Sequence, residues 1–280
     1  MRILLTCLSF LVPLQAFAVT GYESLQTDIS LFEDSMKFDE EEQLMEDREA
    51  AAQQKAEFFP ETGTGVEIRT GDAEETGDFV TIRWNNAPFT LTDVPRSAWF
   101  APYVRDVANK EIMQGYKDIN GRPTGIFGPE RNVSIEELVK MAVVAAGIQT
   151  QACAGELKNT EAKGRWSEAY FLCAEEKGYA IFSDGTIDPL RQATRAEVVA
   201  TILQAFNVQP KPVLETDTTF SDVPPSIQFS SSILTASADG VIGGYMDSKG
   251  RPTGIFGPSN PINRAEMSKM LSIAGQLYKR

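Results

Sequence analysis

The sequence predicts a mainly α protein: three helix–loop–helix repeats packed as a pseudo-threefold helical domain, preceded by an acidic helical and linker segment. Three observations predict it. The nonapeptide GRPTGIFGP occupies Gly121–Pro129 and recurs unchanged at Gly250–Pro258. A proline precedes a glutamate by 8 residues three times, at Glu137, Glu197 and Glu266. An apolar stripe at helical spacing follows each of those glutamates.

The N-terminus reads as a signal peptide over residues 1–18. Arg2 gives a positive start, Ile3–Leu14 is mostly apolar, and Ala16-Phe17-Ala18 has the small-x-small pattern of a cleavage site. The alternative is an uncleaved anchor, but the apolar run is short for a membrane span, and nothing later in the chain is a candidate. Cys7 follows Thr6 inside the apolar run, a poor context for a lipoprotein signal. Export leaves Cys153 and Cys173 in an oxidising setting, where they form either one disulfide or two buried thiols. The chain has no histidine, which removes serine–histidine triads, most general-base schemes and Cys/His zinc sites.

Residues 19–57 read as an acidic helical segment. Leu25, Ile29, Phe32 and Met36 share one stripe, which Asp39–Glu42 interrupts. It is either a solvated spacer or an arm that docks on a protein partner. Residues 58–88, rich in Gly, Thr, Glu and Pro, read as a linker with one short strand at Phe79–Trp84. Acidity is concentrated here: residues 19–88 hold 18 Asp/Glu against 5 Lys/Arg, and residues 89–280 hold 21 against 20. That balance argues against nucleic acid as a partner.

Residues 89–280 carry the repeats, about 89–150, 151–209 and 218–280. Leu91-Thr92-Asp93-Val94-Pro95 matches Phe220-Ser221-Asp222-Val223-Pro224, and Tyr116-Lys117-Asp118 matches Tyr245-Met246-Asp247. The middle copy is worn: Trp166, Gly178-Tyr179 and Asp184–Pro189 remain, with a shorter loop. Pro102 suits a first helical turn, and Tyr103, Val104, Val107 and Ala108 form an apolar face behind it. The second helices show Ile135, Leu138, Val139, Ala142, Val143 and Ala146; then Val198, Val199, Ile202, Leu203 and Phe206; then Met267, Met270, Leu271, Ala274 and Leu277. No one of these helices hides its stripe alone, whereas three related ones pack stripe to stripe.

The order Phe-Ser-Asp-Val-Pro, helix, Gly-Tyr-x-Asp, loop, Pro, Asn/Thr-Arg-Ala-Glu, helix resembles the S-layer homology module, across about 190 of the 280 residues. Such modules come in threes on exported bacterial surface proteins. The resemblance implies a three-pronged helical domain that grips cell-wall polysaccharide, often a pyruvylated polymer.

Thr194 and Glu197 have the spacing of a capping box, as do Asn263 with Glu266 and Ser134 with Glu137, so helix initiation accounts for these residues. It does not account for Arg195 and Arg264. They stand at the first helical position, where the macrodipole disfavours a cation. Either each guanidinium, with free backbone N–H groups nearby, receives a carboxylate such as a pyruvyl ketal, or it pairs with an acid across a repeat interface. The first repeat has Ile135 at this position, so its groove is expected to be degenerate unless Arg131 substitutes. Trp99 and Trp166 are candidates for sugar stacking or for core packing, and Gln228 replaces them in the third repeat. Tyr116, Tyr179 and Tyr245 are candidates to line a groove. Asp118, Asp184 and Asp247 fit turns better than calcium ligands, because each loop offers too few spaced oxygens.

The expectation is therefore an exported, non-catalytic surface protein without cofactor or metal, anchored noncovalently to an anionic cell-wall glycan. The glycan-binding candidates are Arg195, Arg264, Glu197, Glu266, Trp99, Trp166, Tyr179 and Tyr245. The alternative is a protein-interaction or self-assembling surface-layer module that has lost glycan binding.

Overall fold

The computed structural model describes residues 77–85, 87–213 and 219–278. The expected signal peptide, the acidic segment and the linker up to residue 76 lie outside the described residues. The part of the expected linker that is described is not one. Strand β1 (Phe79–Trp84) pairs antiparallel with β2 (Ala87–Pro95), with Val80 opposite Leu91 and Ile82 opposite Phe89. Val80, Ile82, Leu91 and Val94 are buried, and β1 packs on the first helix. The alternation of apolar residues gave the strand correctly; what it could not show is that this face is covered, which makes residues 79–85 and 87–88 part of the folded body. Asn85 turns the hairpin with φ 48°, a left-handed conformation that Asn tolerates.

Six α-helices follow among the described residues: α1 (Ala101–Asn109), α2 (Ile135–Ala145), α3 (Glu168–Glu176), α4 (Arg195–Ala205), α5 (Ser230–Ala238) and α6 (Arg264–Leu277). The second helix of each repeat packs on the first helix of the next: α2 on α3, α4 on α5, and α6 on α1. The apolar stripes form these contacts, with Leu138, Val139, Val198, Leu203, Met267 and Leu271 buried. The stripe of α6 ends before Leu277, which is exposed.

The duplicated loop is a core element. Phe127 and Phe256 are fully buried, and the glycines beside them, Gly128 and Gly257, have φ of 71° and 72°. An added Cβ on Gly128 would sit 2.8 Å from the Tyr116 ring, so glycine is required twice over, by conformation and by space. One aspartate holds each loop. Asp93 accepts the N–H groups of Phe127 (2.8 Å) and Gly128 (2.7 Å), and Asp222 accepts those of Phe256 (2.8 Å) and Gly257 (2.7 Å). In the middle repeat Asn159 takes this place: its Oδ1 accepts the Ile187 N–H at 3.2 Å, and its amide donates to Glu175 Oε1 at 2.6 Å. A disulfide joins Cys153 to Cys173 in the same repeat.

The segments before the three second helices meet in a closed ring of backbone hydrogen bonds. Val133 N–H donates to Ile262 (2.9 Å), Ile262 N–H to Ala193 (3.3 Å), and Ala193 N–H back to Val133 (2.8 Å). All three residues are fully buried.

Candidate functional site

The helix starts are joined around the same ring in the opposite sense. The first two N–H groups of α2, from Ile135 and Glu136, donate to Arg191 and Pro189 of the second repeat. Those of α4, from Arg195 and Ala196, donate to Asn260 and Pro258 of the third. Those of α6, from Arg264 and Ala265, donate to Arg131 and Pro129 of the first. The third N–H of each helix goes to its cap: Glu137 to Ser134 Oγ, Glu197 to Thr194 Oγ1, Glu266 to Asn263 Oδ1. All three capping boxes are complete. The N–H groups expected to be free for a ligand carboxylate are therefore occupied by neighbouring repeats and by the caps. This is a correction to the sequence reading, and its cause is long-range: the carbonyls belong to other repeats, far along the chain and out of reach of any local pattern.

The motif arginines are inside. Arg195 is 2% exposed and Arg264 5%. Arg264 donates from Nε to the Phe127 carbonyl (2.8 Å), from one terminal nitrogen to Gln114 O (2.7 Å), and from the other to Glu137 Oε1 (3.2 Å). Its guanidinium lies between the rings of Tyr116 (4.8 Å) and Phe127 (4.7 Å). Arg195 repeats the arrangement one repeat earlier. It donates to Phe256 O (3.0 Å) and Gly243 O (3.3 Å), lies against the rings of Phe256 and Tyr245, and pairs with Glu266 Oε1 at 3.7 Å. The interface-pairing alternative is thus the one the geometry realises for both arginines. Carbonyl oxygens and a carboxylate fill the fork, and aromatic faces cover it.

The capping-box glutamates consequently act twice. One oxygen of Glu137 accepts the Ser134 N–H (3.0 Å) while the other meets Arg264, and one oxygen of Glu266 accepts the Asn263 N–H (3.1 Å) while the other meets Arg195. The first repeat sends no arginine into the second, because Ile135 is fully buried there. Glu197 is served instead by Arg191 of its own repeat, in a bidentate pair at 2.9 and 2.6 Å. Burial alone would raise the Glu197 carboxyl, but the bonds from Arg191 and Thr194 outweigh it and hold the group below its usual value. Across this junction the charges run in the opposite direction: Glu136 of α2 takes a bidentate pair from Arg165 (2.9 and 3.1 Å) and a bond from Ser167 Oγ (3.0 Å). Arg131 does not replace the missing arginine. Its guanidinium lies over Tyr116 at 4.7 Å, at the junction that Arg264 already serves.

The aromatic candidates separate. Trp99 is half-buried and edge-on to Phe100, with ring centres 5.4 Å apart. Trp166 is 56% exposed and touches Tyr170 edge-on at 6.3 Å. Tyr179 is buried, and burial pushes its hydroxyl up to about 12, so it belongs to the core of the second repeat and not to a groove. Tyr245 is partly buried, its hydroxyl bonded by Asn260 Nδ2 at 2.7 Å. Asp118 and Asp247 each accept two loop N–H groups, as turn residues do. No group of metal-ligating side chains occurs among the described residues, and none of their helices is long and apolar enough to cross a membrane.

Sequence reasoning missed Arg165, Glu136 and Arg191 at the first junction, and Trp84 and Lys117 at the hairpin. Spacing alone would not have found them. Arg191 precedes Glu197 by six residues, and Arg131 precedes Glu137 by the same distance, yet only the first pair forms.

The sequence model of the S-layer homology domain matches residues 90–118 and 219–268. These stretches carry Asp93, Tyr116, Asp222, Tyr245, Arg264 and Glu266. The chain is 25% identical over 136 residues to an uncharacterized cell wall amidase of Bacillus anthracis, covering 48% of this chain and 24% of that protein. It is 29% identical over 150 residues to a cellulosome-anchoring protein of Acetivibrio thermocellus, covering 50% and 30%. It is 23% identical over 187 residues to an endoglucanase of a Bacillus species, covering 66% and 18%. The alignments thus span less than a third of each of these relatives.

Proposed function

We propose that this S-layer homology domain protein is an exported surface protein, held noncovalently to a cell-wall glycan by a pseudo-threefold body of three repeats. The observation that carries the reading is the family match over the first and third repeats. The names of two relatives, a cell wall amidase and a cellulosome-anchoring protein, support the wall as its place. The closed hydrogen-bond ring supports the threefold arrangement, since three unrelated segments would not exchange bonds in one rotational sense. In this reading residues 1–18 direct export, residues 19–57 serve as a spacer or partner-binding arm, and the chain acts as an anchor and not as an enzyme. The ligand is an anionic polymer of the pyruvylated type.

The test is cosedimentation of the full chain with purified cell walls, before and after acid extraction of the wall glycans. Binding that disappears with the acid-labile glycans is expected. Failure to sediment with untreated walls would overturn the reading. One observation favours a second one, a protein-interaction module that has lost glycan binding: the motif arginines are enclosed in repeat interfaces. That reading predicts no sedimentation with walls, and concentration-dependent assembly of the full chain in light scattering.

A further inference from the structure

We propose that the surface that meets the wall polymer is an exposed cationic and aromatic platform on the first repeat, formed by Lys117, Arg131, Tyr116 and Trp84, and that the motif arginines do not touch the ligand. The inference rests on the anchoring reading and names the face and the chemistry it would use.

Two guanidinium groups cover Tyr116, and two lysines lie within electrostatic reach of them. Arg264 and Arg131 each place a guanidinium over its ring, at 4.8 and 4.7 Å. Lys117 follows in the chain, with its Nζ 4.6 Å from the Trp84 ring centre. Lys140 reaches in from α2 to donate to the carbonyls of Ile112 (2.7 Å) and Glu111 (3.3 Å). The acids nearby have other partners: Glu137 holds Arg264 and its own cap N–H, and Asp93 and Asp118 accept loop N–H groups. Burial pushes the Lys140 ammonium down to about 8, and repulsion from Arg264 and Lys117 adds to it. Lys117 and Arg131 are exposed, and neither has a carboxylate partner among the described residues. They therefore carry positive charge to solvent on a chain whose formal net charge is −13.

The other repeats lack this combination. Met246 and Asn260 stand where Lys117 and Arg131 would be in the third repeat, and in the second Tyr179 is buried and followed by Ala180. The hairpin supplies Trp84 to the first repeat alone. Its ring holds Lys117 by a cation–π contact, so the ammonium is positioned before any ligand arrives. Two separated, preoriented cations beside aromatic faces suit a polysaccharide with repeated acidic groups, carboxylate or phosphate.

The test uses the full chain with polygalacturonate as carboxylate polymer, glycerol-phosphate teichoic acid as phosphate polymer, and dextran as neutral control. Salt-sensitive binding to at least one polyanion is expected, and the stronger of the two identifies the acidic group. Lys117→Ala with Arg131→Ala should weaken it at least about tenfold with unchanged thermal melting, and Lys117→Arg should retain it. Lys163→Ala with Lys177→Ala removes equal charge from exposed sites in the second repeat and should change binding less than about twofold. No polyanion binding by the parent chain, parent-like binding by the platform pair, or an equal loss in the control pair would overturn the proposal. Wall cosedimentation that survives the platform substitutions keeps the anchor and discards the platform. Polyanion binding that depends on the platform without wall cosedimentation does the reverse.

Discussion

Two of the three repeat junctions pass a buried arginine forward. Arg195 enters the third repeat and Arg264 enters the first, each between two aromatic rings and against a capping-box glutamate. The junction between the first and second repeats has Ile135 in that place, a glutamate–arginine pair of opposite polarity, and a local arginine on the waiting glutamate. The difference teaches what the repeat requires. The glutamate is constant, because one of its oxygens closes the helix cap; its second oxygen must then meet a cation. Where that cation comes from is negotiable. The second repeat has Ile187 in place of the aromatic loop residue, so an arginine arriving from Ile135 would lack one face of the box. A local arginine and an aliphatic contact are the consistent substitute.

The largest expected effect breaks the two arginine junctions. Arg195→Ala or Arg264→Ala leaves a glutamate, several carbonyls and an aromatic slot without their partner, at a cost of about 3–5 kcal/mol in urea unfolding. Glu136→Ala at the first junction should cost about 1–2 kcal/mol, because Arg165 is 31% exposed and regains water. Equal costs at all three junctions would mean that the reversed pair is as enclosed as the forward ones.

The loop anchors come next. Asp93→Ala and Asp222→Ala each orphan two loop N–H groups and should cost about 2–3 kcal/mol by the same measurement. In the middle repeat, Asn159→Asp should also destabilise, by setting a carboxylate where the Asn159 amide now donates to Glu175. A neutral or stabilising Asn159→Asp would show that the middle repeat tolerates the spelling of the other two.

How much of this was legible depends on the range of the signal. Capping boxes, stripes and the strand at Phe79–Trp84 are local patterns, and the sequence displays them directly. The junctions are not local. The reading that made Arg195 and Arg264 ligand receptors was sound about the helix dipole, since a cation at a helix start does need a reason. It could not see that Phe127, Phe256, Gln114 and Gly243 return from other repeats to provide that reason. Asn159 was invisible for a different cause: the middle repeat replaces the letter and keeps the hydrogen bond. Trp84 lay in what composition marks as linker, and only tertiary pairing of the hairpin brings it beside Lys117.

The caps test whether the junctions differ in anything besides charge. Ser134→Ala, Thr194→Ala and Asn263→Ala each remove one side chain that accepts a helix N–H, and each should cost about 1 kcal/mol. The three boxes share one geometry, so near-equal values are expected despite the different arginine sources. A clearly larger loss at Asn263, the most buried cap, would tie capping to closure of the ring.

The smallest effect near neutral pH distinguishes the junctions by titration. Lys140 on α2 and Lys269 on α6 occupy equivalent positions, and Ala200 stands there on α4. Burial lowers both ammonium groups to about 8 from an ordinary 10.5, and Lys140 is lowered further by Arg264 and Lys117. Below pH 8 the folded and unfolded chains both hold these protons, so neither lysine gives stability a slope. Between pH 8 and 10.5 the unfolded chain binds more protons than the folded one, and stability rises with pH. Lys140→Met should remove part of that rise, and Lys140→Met with Lys269→Met should flatten it. An undiminished rise in the double variant would assign the titration to other groups.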